Sequence, residues 1–236
     1  MSTATTSGTE RVLRGVINKL AYERGELLSA VHCPEVLADR RERTYDGVIG
    51  DLNRWVDTIR ERTRESVPYF DPTAAGEGTR VLVLLQDPSQ EAEVGSGFIS
   101  RHNNDPTARN IYLAAEQAGL HQECSLLWNI VPWWVANPAR QGLESRRSLK
   151  GEAARARPYI LELVQKLPQR PAAIVLAGRQ AQTAWGALGD LDLRGITVLS
   201  CPHPSPLAFP KKDATGKPNS ETIIEVFRQA AELARS

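Results

Sequence analysis

Residues Val81-Leu82-Val83-Leu84-Leu85 form an apolar run with no polar alternation. Successive side chains of a strand point to opposite faces, so such a run needs apolar cover on both sides. A Pro/Gly-rich passage, Pro68 to Gly78, precedes it and breaks the pattern upstream. Shorter strand-like runs recur at Ser125-Leu126-Leu127, Ala172–Leu176 and Ile196–Leu199. Helix-like stretches precede them in turn: Thr107–Ala118, Gly151–Lys166 and Gln180–Leu188, and a last helix covers about Ser220–Ala234. Alternation of this kind implies right-handed crossovers and a parallel sheet with helices on both sides. The expected fold is therefore α/β, a three-layer α/β/α sandwich around a short central parallel sheet of about four strands.

The chain upstream has helical spacing instead. Val12, Val16 and Leu20 run into Leu27 and Leu28, and Val48, Leu52, Trp55, Val56 and Ile59 follow. Residues 11–67 are read as a helical N-terminal layer, 80–236 as the α/β core and the polar residues 1–10 as a disordered tail, within one domain overall. A chain of 236 residues with 41% hydrophobic side chains can bury one sizeable core. The first residues lack the apolar stretch of a signal peptide, and no run is long enough to span a membrane. Cys33, Cys124 and Cys201 are widely spaced with no C-x-x-C, which fits a reducing compartment. A soluble cytoplasmic monomer without membrane contact is expected. The thiols are too few for an iron–sulfur cluster and the four histidines lack zinc spacing, so neither metal nor cofactor is expected. A formal charge of +1 excludes a polycation. Contact with nucleic acid would come from local clusters, Arg140/Arg146/Arg147/Lys150 or Lys211/Lys212/Lys217.

Three polar signatures follow the apolar runs: Gln86-Asp87-Pro88, Trp128-Asn129 and His203-Pro204-Ser205-Pro206-Leu207. In a parallel sheet their Asp, Asn and His would meet at the carboxyl edge, where open α/β folds bind and react. Singly each has an ordinary reading, Asp87 as a cap or turn, Asn129 as a turn residue and His203 as a surface residue. Their joint occurrence favours chemistry.

These motifs resemble the uracil-DNA glycosylase superfamily, whose first motif reads Gly-Gln-Asp-Pro-Tyr and whose last reads His-Pro-Ser-Pro-Leu. The likeness covers about residues 80–210. It implies that Asp87 activates water and stabilises the sugar cation, while His203 stabilises negative charge on the O2 of the base. Gln86, Ser89, Asn129 and a stacking Phe98 would surround the flipped base. Leu207 would wedge into the vacated duplex and Ser205 would contact phosphate. Gly178 and Arg179 open a helix whose free N–H groups and guanidinium could hold phosphate, and Lys211 and Lys212 could meet the DNA backbone. A tight turn would explain Gly178 as well, and exposed lysines need no special role. Trp133 and Trp134 are read equally as cleft or core.

The chain departs from the family motif at Leu85 and at Ser89, which replaces the Tyr that walls off C5 in uracil-specific enzymes. Ser89 opens room for a C5 group, while the Asn129 amide can pair with uracil or, flipped, with cytosine. The resemblance thus implies a monofunctional DNA glycosylase accepting C5-modified pyrimidines, including modified cytosine of phage DNA in antiviral defence. Conventional uracil repair, a non-catalytic DNA-binding module and a nucleotide-handling α/β protein are the alternatives.

Overall fold

The computed structural model describes residues 14–74, 76–135, 137, 148–189 and 193–236. Three helices lead: α1 (Lys19–Glu23), α2 (Pro34–Glu42) and α3 (Gly47–Thr63). Of the apolar positions expected across α3, Leu52, Trp55, Val56 and Ile59 are buried, together with Ile49, whereas Val48 is only half-buried. Helical structure does not run on from Leu20 into Leu27 and Leu28. Gly25 adopts a φ of 69° just after α1, a conformation that ends helices, and Leu28 donates its N–H to His102 O at 2.9 Å. Val12 and the proposed tail lie outside the described residues.

The rest of the chain builds β1 (Tyr69–Phe70), β2 (Val81–Leu85), a π-helical turn Glu91–Ser96, β3 (Phe98–Ile99), α4 (Pro106–Ala118) and β4 (Ser125–Asn129). Next come α5 (Leu149–Lys166), β5 (Ala173–Ala177), α6 (Arg179–Gly186), β6 (Thr197–Cys201) and α7 (Asn219–Arg235). The expected four-stranded parallel sheet forms in the order β4-β2-β5-β6. Two further residues pair from each of β1 and β3 in a small parallel side sheet. Strands this short carry no readable period, which is why the sequence showed no sign of them.

From β2 the chain steps one way to β4, then back across β2 to β5 and on to β6. Right-handed crossovers therefore put α4 on one face of the sheet and α5 and α6 on the other. The packing agrees, since α7 lies against α4 and the strands, while α6 packs on α5. Strands β4 and β5 are buried throughout, as is β2 from Val81 to Leu84, so the central strands have the two-sided cover their composition requires.

The N-terminal layer is joined to this core by polar ties as well as packing. Asn53 donates to Thr44 O at 2.7 Å and Phe70 O at 3.1 Å, and accepts from Phe70 N at 2.8 Å. Asn18, fully buried, donates to Arg101 O at 2.9 Å and Asn103 O at 3.1 Å. Asn104 answers by accepting from Ile17 N at 2.8 Å and donating to Gly15 O at 3.0 Å. Asp71, also buried, accepts from Arg40 at 2.8 Å, Thr73 N at 2.9 Å and Ser100 Oγ at 2.5 Å. Burial alone would raise the Asp71 pKa, but His102, Arg40 and Ser100 together hold it well below the usual carboxylate range.

Candidate active site

Strand register brings the signatures together. Leu85 is level with Asn129, Leu84 with Leu176, and Ala177 with Cys201, so all four strands end along one line. At that edge lies a cavity of about 540 Å³, and Gln86, Asp87, Ser89, Asn129, Arg179, His203 and Ser205 all line it. The edge of an open parallel sheet is where such a cleft is expected.

Asp87 is half-buried and held at both oxygens. Val135 N–H donates to Oδ2 at 2.9 Å and Gln86 Nε2 donates to Oδ1 at 2.6 Å. Burial pushes the Asp87 pKa above its ordinary value, and these two bonds work against that rise. Asn129 is 3% exposed, and its side-chain amide makes no hydrogen bond among the described residues. An amide buried at a cavity wall with both ends uncommitted can read one edge of a base.

His203 is oriented from three directions. Its Nδ1 accepts from Ser205 N at 3.0 Å, so the neutral ring carries its proton on Nε2. Burial lowers its pKa, which favours that neutral form. Asn110 of α4 donates to Pro204 O at 2.8 Å, fixing the loop behind the ring. Gly178 lies against it, and a Cβ there would stand 2.8 Å from both Cβ and Cδ2 of His203.

Two expected assignments need correction. Phe98 is 1% exposed, packed with Leu28, Leu37 and Tyr69, and does not line the cavity. Alternation along β3 turns its neighbour Ile99 to the cavity instead, followed by Ser100. Gly178 spends its N–H on Cys201 O at 2.9 Å and is buried, so it makes room for His203 rather than binding phosphate. Trp133 and Trp134 divide the two roles offered to them. Trp133 is buried and donates to Glu152 at 2.6 Å, whereas Trp134 lines the cavity.

Around the mouth, Arg179 is exposed at the start of α6 and Ser205 accepts from Ala208 N at 3.3 Å. Leu207 is 79% exposed, and Lys211 and Lys212 are exposed a few residues on. Lys217 pairs with Glu225. Arg140, Arg146 and Arg147 lie outside the described residues.

The cavity also takes in Asn103, Asp105 and Thr107, which the motifs did not suggest. The only sign of them is a polar run, His102 to Asp105, between strand and helix, and Asp105-Pro106 there reads simply as a helix start.

A family model described as the uracil DNA glycosylase superfamily matches residues 72–228. The chain belongs to the uracil DNA glycosylase superfamily. The matched segment of this superfamily member contains Asp87, Asn129 and His203, whereas α1 to α3 and β1 precede it. Among solved structures, the chain is similar to a mimivirus UNG variant crystallised in complex with UGI. It is 13% identical to that protein, with 76% of this chain and 73% of that one covered and a TM-score of 0.34. No curated protein matches it. Membership in the uracil DNA glycosylase superfamily supports a DNA glycosylase.

Proposed function

We propose that this protein turns a pyrimidine nucleotide out of DNA into the cavity, hydrolyses its N-glycosidic bond and leaves an abasic site, accepting bases with a C5 substituent. The observation that carries this reading is the convergence of Asp87, Asn129 and His203 on one cavity of about 540 Å³. That volume lies in the usual range of small-molecule pockets.

Bond breaking separates a cationic sugar from an anionic base, and the site has groups for each. Asp87 supplies negative charge toward the sugar and aligns the attacking water, with its carboxylate steadied by Val135 N–H and Gln86. His203 offers the Nε2 proton to the O2 of the departing base, because Nδ1 is already occupied. Asn129 pairs with the base edge, and Trp134 is the aromatic available for stacking. Leu207 fills the gap in the duplex, and Arg179, Ser205, Lys211 and Lys212 meet phosphates. Ser89, exposed on the cavity rim, leaves the C5 side open. Modified cytosine of phage DNA is the substrate setting that this opening favours, with the enzyme acting as a cytoplasmic monomer in antiviral defence.

The test offers matched oligonucleotides containing uracil, thymine, cytosine, hydroxymethylcytosine and its glucosylated form, with mass spectrometry of the freed base. A substituted base should be released, and Asp87→Asn should slow release by about 10²–10⁴-fold. Ser89→Tyr should suppress release of the substituted base and spare uracil. Release of uracil alone would return the protein to conventional repair, and release of no base would make it a binding module.

A further inference from the structure

One wall of the cavity is built not by strand ends but by the segment between β3 and α4, which contributes Ser100, Asn103 and Asp105, and by Thr107 in the first turn of α4. Asn103 is 3% exposed. Its Nδ2 donates to Phe98 O at 3.0 Å, which identifies the other end of the amide as the oxygen, and that oxygen has no donor. A buried acceptor left unpaired beside a cavity is costly unless something bound there supplies the proton. The Asn103 backbone is fixed from behind by Asn18, so the side chain is held in place before any ligand arrives.

Asp105 lies two residues on. Its Oδ1 accepts from Thr107 N at 2.8 Å and Ala108 N at 3.0 Å, capping α4, and the second oxygen makes no hydrogen bond among the described residues. Ser100 cannot serve as a donor here, because its hydroxyl proton goes to Asp71 at 2.5 Å. Asn103 and Asp105 therefore offer acceptors to whatever occupies the cavity, beside the Thr107 hydroxyl, which can donate or accept. The wall also repels negative charge.

We infer that Asn103 and Asp105 read a hydrogen-bond donor on the substituent of the bound base. The substrate class is then a pyrimidine whose C5 group carries hydroxyl, in preference to a plain methyl or a carboxylate. This rests on the cavity being the base pocket proposed above. A methyl group would bury both acceptors without a partner, and a carboxylate would set like charges together.

The experiment compares kcat/KM for release from duplexes carrying 5-methyl, 5-hydroxymethyl and 5-carboxyl forms of cytosine, with the 5-methyl and 5-hydroxymethyl uracil pair alongside. Wild type should favour hydroxymethyl over methyl by roughly tenfold or more, with the carboxyl form slowest. Asn103→Leu and Asp105→Asn should each lower the hydroxymethyl-to-methyl ratio about tenfold, chiefly through KM. Should Asn103→Leu not fold, Asp105→Asn still decides the matter, because Asn caps helices as well as Asp does. Variants that slow both substrates equally, or a wild type without preference, would overturn the inference and leave the glycosylase standing. Release of no base from any duplex would overturn both.

Discussion

Gly178 and His203 are fitted to each other at the level of single atoms. Gly178 has a φ of 99°, and the space its missing side chain leaves is filled by the imidazole. Gly178→Ala would combine left-handed backbone strain of about 1–3 kcal/mol with displacement of the ring. A shift of even about 1 Å in a reacting group can cost about 10²-fold in rate. The expected outcome is a lower Tm and a drop in kcat of that order, with DNA affinity in a gel-shift titration little changed. The same scale shows what the sequence could reveal of the site. Asp87, Asn129 and His203 were legible because each closes or follows a run whose apolar composition marks a buried strand. Phe98 was misread because its place after Asp87 resembles that of the family's stacking aromatic, yet a two-residue strand gives no parity to say which neighbour faces the cavity. Trp133 and Trp134 posed the same ambiguity, and only the loop geometry after β4 resolved it.

Among elements, the least legible were those joined by buried polar groups. Asp71, just after β1, gathers Arg40 from α2 and Ser100 from beyond β3, so one carboxylate links the helical layer to the cavity wall. Nothing in the spacing of residues 40, 71 and 100 announces such a link. Breaking a buried charged network by removing one charge typically costs about 3–5 kcal/mol, because the remaining partners stay buried. Asp71→Asn should therefore unfold at markedly lower urea concentration than wild type. The sign of the pH effect follows from the lowered pKa of Asp71. Its contribution is fully present above the ordinary carboxylate pKa and is lost as pH falls below it toward the folded value. Urea titrations across the acid range should show that component in wild type and not in Asp71→Asn. By contrast, α4 to α7 and the four long strands were visible in advance, the helices by their period and the strands as apolar runs.

For the whole molecule, the near-neutral charge sets a limit on how DNA is held. With a formal charge of +1, attraction is local, and the exposed cations proposed to meet phosphates are Arg179, Lys211 and Lys212. If each neutralises one phosphate, the logarithm of the binding constant should fall with the logarithm of salt at a slope of about −3. Fluorescence anisotropy across a salt series measures it, and a slope near −8 would point to a much broader basic footprint. The N-terminal layer was legible as helical but not as a support, since periodicity reports which face is buried and not what it is buried against. Its ties through Asn18 and Asn104 end on the segment that carries Asn103 and Asp105, while the superfamily match starts only at residue 72. The groups at the strand ends and the wall that carries Asn103 and Asp105 thus have separate foundations. On the proposed function, substitutions in the first helices should retune which bases are accepted while leaving Asp87, Asn129 and His203 in place.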